Sequence, residues 1–150
     1  MKNKTIKNYI YNGLGFPILL PSVEMIYFEG EWHPKIDVYS VSEKAIKALI
    51  TQESRFTGNQ VKFVRVYFAM TLREFGKNVV HESHAAVNKW ENCRDKITNM
   101  DGNIEAMLRL YIYERIFTKT LKQRNNFYKK YCEIKKLFLI DKQATHISLA

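Results

Sequence analysis

The sequence predicts an α+β protein in three parts: a small N-terminal β region with one helix, a compact helical domain, and a C-terminal helical extension. Two observations support this fold class. Aromatic and β-branched residues between Pro and Gly breaks dominate the first third of the chain. Apolar residues at helical spacing, in runs that open with a hydroxyl residue, dominate the rest. The predicted boundaries are 1–50, 51–118 and 119–150.

The β region is predicted to hold two or three short strands, as a hairpin or meander, within residues 9–38. Its segments "GFPILL" and "EMIYFEGEW" are rich in Ile, Tyr, Phe and Trp. The next segment, "SVSEKAIKALI" at 40–50, predicts a helix, because Ser40 can cap its N-terminus and Glu43 lies three positions later.

Three short helices are predicted in the middle of the chain, each opened by a hydroxyl residue. Thr57 and Gln60 form a capping-box pattern, and Thr71 repeats the pattern with Glu74. Ser83 opens the third helix. The apolar residues predicted to face inward are Val61, Val64, Phe68, Leu72 or Phe75, Val79, Val87 and Trp90.

Residues 102–139 are predicted to be mostly helical. Their apolar surface is wide enough for a dimer interface, for packing against the N-terminal strands, or for an ordinary core. The first part of this surface is formed by Ile104, Met107 or Leu108, Tyr111 and Ile112.

The charge of the chain is unevenly distributed. The net charge is +9, and residues 1–56 have 7 basic and 6 acidic side chains, residues 57–100 have 7 and 4, and residues 101–150 have 10 and 5. A basic C-terminal half indicates a polyanionic partner, with nucleic acid favoured over an anionic membrane surface. The alternative is a Lys excess that reflects an AT-rich genome. With 46% hydrophobic and 26% charged residues, the composition is globular and excludes a disordered chain.

No targeting, membrane or disulfide signal is found in the sequence. No apolar run approaches the roughly 20 residues that span a bilayer. The N-terminal apolar segment is broken at Gly13, Gly15 and Pro17 and has no small-residue cleavage site, so a cytoplasmic protein is expected. Cys93 and Cys132 form no CxxC pair, and therefore neither a disulfide framework nor zinc is expected.

The helix predicted over residues 83–92 has two different faces. At 100° per residue, Ser83, Val87 and Trp90 lie on one side. The other side is short and polar, and Asn, Lys and Ala there could pair with adenine, reach guanine and touch a thymine methyl, respectively. This pattern fits a DNA-recognition helix and an ordinary surface helix equally well. The polar side is formed by Ala85, Asn88, Lys89 and Asn92, with His84 at its edge.

Two segments, "VRVYFAMTLREFGKN" and "SHAAVNKWEN", resemble the Xre/Cro-type helix-turn-helix of phage repressors and antitoxins. That family has an Arg six residues before the hydroxyl cap of its second helix, which corresponds to Arg65 before Thr71. It ends its recognition helix with an aromatic or aliphatic residue followed by Glu-Asn, which corresponds to 90–92. The resemblance covers residues 57–100 and implies a lambda-repressor-like, five-helix domain in which Arg65 pairs with Glu91 as a structural ion pair.

The preceding segment extends the resemblance to about two thirds of the chain. "YNGLGFPILLPSVEMIYFEGEWHPKID", followed by a helix and "FTGNQVKFVR", is similar to HigA/MqsA-like antitoxins and regulators. The zinc-binding branch of that group has paired CxxC motifs, which this chain lacks. The resemblance implies binding of double-stranded DNA as a homodimer, autorepression, and a cognate toxin held by the β region or the C-terminal helices.

Two departures from the Xre pattern affect the DNA contacts. The Gln that commonly follows the cap and touches a phosphate is Leu72 here, and the turn "NVVHES" is one residue longer than usual and has no Gly. Thr71 is expected near a phosphate, and the residues after the recognition helix are expected at the next phosphates. The DNA-contacting residues that the resemblance implies are Thr71, Arg73, Ser83, His84, Ala85, Asn88, Lys89, Asn92, Arg94 and Lys96.

Other functional classes find little support in the sequence. "HESH" at 81–84 lacks the HExxH spacing and a third ligand, so no metal site is expected. "GLG" at 13–15 lacks a third Gly and a following helix, and no Ser or Cys stands in a nucleophile motif. We expect a DNA-binding regulator with no cofactor and no enzymatic activity. A stand-alone regulator without a toxin, and a protein-interaction module whose helix-turn-helix is structural, are the alternatives.

Overall fold

An antiparallel meander of three strands opens the chain in the computed structural model, which describes residues 2–117, 129, 133–134 and 147–149. Five α-helices follow the meander within residues 38–117, and a fourth short strand joins the sheet at residues 147–148. This arrangement confirms the mixed α+β class. The elements are β1 (Asn3–Tyr11), β2 (Ile18–Phe28), β3 (Glu31–Lys35), α1 (Val38–Ile50), α2 (Gly58–Tyr67), α3 (Leu72–Phe75) with a π-helical turn (Gly76–Val80), α4 (His84–Glu91), α5 (Gly102–Phe117) and β4 (Ile147–Ser148).

Strand β2 is the centre of the sheet. It pairs with β1 from Asn3↔Ile26 to Tyr11↔Ile18 and with β3 from Glu24↔Lys35 to Phe28↔Glu31, both antiparallel. Glu29 and Gly30 join β2 to β3, and both have positive φ, as the type I′ turns of two-residue hairpins require. The predicted meander is therefore present, although β1 begins six residues earlier than the segment predicted for it. The inward side chains of β2 that are buried in the core are Ile18, Leu20, Val23 and Met25.

Strand β4 brings the end of the chain back to the sheet. Ile147 pairs with Ile18 and Ser148 with Leu19 in parallel orientation, and Ile147 is buried in the core. The prediction of a helical extension over 119–150 is therefore wrong at 147–148, because backbone pairing with β2 and burial of a β-branched side chain favour a strand there. Most other residues of the predicted extension lie outside the described part of the chain.

The starts of α1 and α2 show which capping predictions succeed. In α1 the cap is Asp37, whose Oδ1 accepts hydrogen bonds from the backbone N–H groups of Tyr39 and Ser40, so the predicted Ser40 cap is wrong. In α2 the predicted capping box is confirmed. The Gln60 N–H donates to Thr57 Oγ1 at 3.2 Å, and the Thr57 N–H donates to Gln60 Oε1 at 3.1 Å.

A single hydrophobic core joins the sheet to the helices. Its buried residues include side chains of β2, β4 and all five helices, so it extends across the boundary predicted at residue 50. Residues 51–118 contain four α-helices and the π-helical turn, and the fifth described α-helix is α1, which precedes that segment. In the predicted stripe of α5, Leu108 and Ile112 are buried, whereas Met107 is 54% exposed.

A buried carboxylate fastens α5 to the connection between α1 and α2. Glu105 is fully buried and accepts hydrogen bonds from Arg55 Nε at 3.1 Å, the Phe56 N–H at 2.9 Å and Arg109 Nη2 at 3.3 Å. The Arg109 guanidinium also donates to the carbonyls of Gln52 and Ser54 and lies 4.7 Å from the Phe56 ring centroid. Burial lowers the pKa of Arg109, and Glu105 counteracts that shift.

Replacing this carboxylate should destabilise the protein strongly. We expect Glu105→Gln to lower the free energy of unfolding by about 3–5 kcal/mol, because it leaves two guanidinium groups without their counter-charge inside the protein. Urea denaturation followed by circular dichroism measures the change. The matched control is Glu24→Gln, since Glu24 forms an exposed pair with Lys35 at 3.9 Å, of a kind worth at most about 1 kcal/mol. Equal effects of the two substitutions would contradict the proposed role of Glu105.

Candidate nucleic-acid interface

Thr71, one of the residues predicted to contact DNA, is the N-cap of helix α3. Thr71 Oγ1 accepts a hydrogen bond from the Glu74 N–H at 3.1 Å, and its hydroxyl lies 3.1 Å from the Glu74 carboxylate, to which it donates. The cap is present as predicted. However, Glu74 bonds to the hydroxyl rather than to the Thr71 backbone, so a phosphate would have to compete with a carboxylate for the hydroxyl proton.

The segment between α3 and α4 accommodates the unusually long turn. Residues 76–80 form a π-helical turn that continues α3, and His81 then adopts the left-handed conformation, with φ 55° and ψ 44°. The His81 and Glu82 N–H groups both donate to the Gly76 carbonyl. A Cβ atom at Gly76 would collide with the Glu82 carbonyl oxygen, and this close approach requires glycine. The turn sequence itself has no glycine, but Gly76 lies two residues before its first residue, Asn78.

Helix α4 separates a buried side from an exposed side. Ser83 caps it by accepting a hydrogen bond from the Ala86 N–H at 3.1 Å. Val87 and Trp90 are buried, as predicted. The exposed residues of the helix are His84, Ala85, Asn88 and Lys89. At 100° per residue they span an arc of about 140°.

The segment after α4 is held against the start of α2 by its backbone. The Arg94 carbonyl accepts from the Asn59 N–H at 2.8 Å, and the Lys96 carbonyl accepts from the Gly58 N–H at 3.2 Å. A Cβ atom at Gly58 would collide with the Trp90 carbonyl oxygen, so α2 and α4 meet at a glycine. These bonds satisfy N–H groups that the first turn of a helix leaves free, and they fix the backbone of Arg94 and Lys96.

All ten residues predicted to contact DNA are exposed. They come from the start of α3, from α4 with its cap, and from the segment that follows α4. Lys77 was not among the predicted residues, but it is an exposed cation on the π-helical turn, which packs against α4. The sequence feature that could have indicated it is a basic residue next to the turn between α3 and α4. The ten exposed residues are Thr71, Arg73, Ser83, His84, Ala85, Asn88, Lys89, Asn92, Arg94 and Lys96.

The predicted ion pair between Arg65 and Glu91 is present and bidentate. Arg65 Nε lies 2.7 Å from Glu91 Oε2, and Nη2 lies 2.9 Å from Oε1. The third nitrogen, Nη1, donates to the Met70 carbonyl at 3.0 Å. The hydrogen bond with Glu91 raises the pKa of Arg65, against the opposing effect of burial. One side chain thereby fixes the end of α4 and the loop before α3 relative to α2.

No protein-family model, curated protein or solved structure matches this chain. Its function is therefore inferred from the geometry of its own surface. Within the described residues, no group of three or more His, Cys, Asp or Glu side chains could hold a metal ion. Among the described helices, none has both the length and the apolar character needed to cross a bilayer.

The Arg65–Glu91 pair should stabilise the helical domain cooperatively. We expect Arg65→Met and Glu91→Gln each to lower the free energy of unfolding by about 3 kcal/mol. The side chains are only 15% and 8% exposed, and each substitution leaves the other charge partly buried without its partner. The double variant should lose at least about 1 kcal/mol less stability than the sum of the losses of the two single variants. Urea denaturation of the unsubstituted protein, the two single variants and the double variant measures this coupling. Strict additivity would mean that the pair does not act as a unit.

Proposed function

We propose that the protein is a transcriptional regulator that binds a specific sequence of double-stranded DNA through α4. The main support is the exposure of all ten predicted contact residues, together with the division of α4 into a buried and an exposed side. A helix of eight residues is about 12 Å long, and the major groove is about 12 Å wide. The Xre resemblance and the net charge of +9 support the same proposal.

In this proposal the exposed side chains divide into two roles. Asn88 and Lys89 form hydrogen bonds with base edges, and His84 and Ala85 lie beside them in the groove. Backbone phosphates are contacted before and after these residues and supply most of the affinity. The proposed phosphate contacts are Thr71, Arg73, Ser83, Asn92, Arg94 and Lys96.

The regulator is proposed to act as a homodimer on a two-fold-related operator, which would separate two half-sites by about 34–36 Å. The resemblance to HigA/MqsA-like proteins further suggests an autorepressing antitoxin, with the β region or the C-terminal segment as the toxin-binding part. Affinity purification of the full chain from its native cells tests this last point. Recovery without any toxin-sized partner would favour the stand-alone regulator.

Base recognition should depend on Asn88 and Lys89. We expect Asn88→Ala/Lys89→Ala to weaken binding to DNA from upstream of its own gene by at least about tenfold, because each lost base contact costs about 1–3 kcal/mol. Fluorescence anisotropy measures binding to this DNA and to a scrambled duplex. The control, Lys44→Ala/Asn103→Ala, removes the same groups from exposed positions outside α4. Equal binding to both duplexes by all three proteins would instead favour a protein-interaction module.

Phosphate recognition should depend on Arg94 and Lys96. We expect Arg94→Ala/Lys96→Ala to weaken binding to both duplexes alike, because phosphates carry no sequence information. The slope of log K against log salt should become shallower by about 1.8, or about 0.9 per lost contact. Anisotropy titrations at four salt concentrations give the slope. An unchanged slope would remove both residues from the interface.

A further inference from the structure

We propose that a cleft between the β1–β2 loop and α2 binds a small aromatic carboxylate. The cleft has a volume of about 470 Å³ and opens to solvent. Residues 13–15 form one wall, and α2 forms the opposite wall. Pockets that bind small organic molecules commonly have volumes of roughly 300–1,000 Å³. This inference is independent of DNA binding, since the cleft includes none of the ten residues proposed to contact DNA.

The walls of the cleft suit an aromatic ring. Leu14 lines the loop side, and Phe63, Val66 and Tyr67 line the helix side. The Phe63 and Tyr67 rings lie 6.0 Å apart at an interplanar angle of 51°, and tilted rings of this kind can pack against a third ring. Val66 is 58% exposed, although Phe63 beside it on this face of α2 is buried. A flat apolar ligand would remove this valine from water.

The polar groups of the cleft suit an anion at one end. Asn59 and Lys62 line it one helical turn apart, and the ion pairs among the described residues do not include Lys62. At the other end, burial raises the pKa of Tyr67, and the negative charge of Glu43 adds to this shift. Asn59 and Tyr67 are separated by about 12 Å along the helix. A carboxylate would therefore lie beside Lys62 and Asn59, away from Glu43.

Glycines determine the conformation of the loop at residues 13–15, which forms one wall of the cleft. Gly15 has a φ of 97°, and its N–H donates to the Asn12 carbonyl at 3.0 Å. A Cβ atom at Gly13 would collide with the Tyr11 ring. Gly15 therefore supplies the positive φ that this turn needs, on the side of the cleft opposite α2.

Isothermal titration of the full chain with 1-naphthoate tests this proposal. We expect saturable binding at one site per chain, weakened about tenfold or more by Lys62→Gln, because a charge-assisted hydrogen bond is lost. Val66→Glu should abolish binding by placing a negative charge in the cleft at an exposed position. Lys77→Gln removes the same charge from the π-helical turn and should leave the affinity unchanged. The neutral analogue 1-naphthalenemethanol should bind at least about tenfold more weakly than the carboxylate.

Three results would overturn the proposal. The first is the absence of saturable binding, which would leave the cleft to a side chain of a protein partner. The second is equal weakening by Lys62→Gln and Lys77→Gln, which would show attraction by net charge alone. The third is equal affinity for the neutral analogue and the carboxylate. Circular dichroism of each variant verifies its fold, and Lys62→Gln, at an exposed position, keeps the test decisive if Val66→Glu does not fold.

Discussion

The hydrogen bonds of the buried Glu105 carboxylate, between α5 and the connection from α1 to α2, are the interaction on which the rest of the fold depends. It joins α5 to the connection that leads from α1 into α2, through Arg55, the Phe56 backbone and Arg109. A carboxylate in this position would be costly without its partners, so α5 and the connection into α2 stabilise each other. Both surfaces proposed to bind partners include or adjoin α2.

From α2, three attachments define the proposed DNA-binding surface. Arg65 holds the end of α4, Gly58 allows α2 and α4 to approach closely, and the carbonyls after α4 bond to the first turn of α2. Each attachment lies on the inner side of the helices. The exposed polar residues of α4 therefore take no part in these attachments, and substituting them should not disturb the packing of the helices.

The parts of the fold that the sequence predicted are those specified by short-range patterns. The Thr57 capping box, the Ser83 cap and the buried face of α4 depend on residues within four positions of one another. The Arg65–Glu91 pair was predicted only through the family resemblance. Glu105 and Arg109 were not predicted, because charges in a helical pattern are normally solvated and their partners lie about 50 residues away. The π-helical turn was also missed, since sequence periodicity does not distinguish it from a longer loop.

The parallel pairing of β4 with β2 has a consequence for the order in which the chain can fold. Ile18 precedes its partner Ile147 by 129 residues along the chain. The meander can form early from neighbouring strands, but this edge of β2 keeps unpaired backbone groups until residue 147 has left the ribosome. During that interval the exposed edge could pair with a strand of another nascent chain. The pairing of β4 with β2 therefore closes this edge of the sheet only after residue 147 has been made.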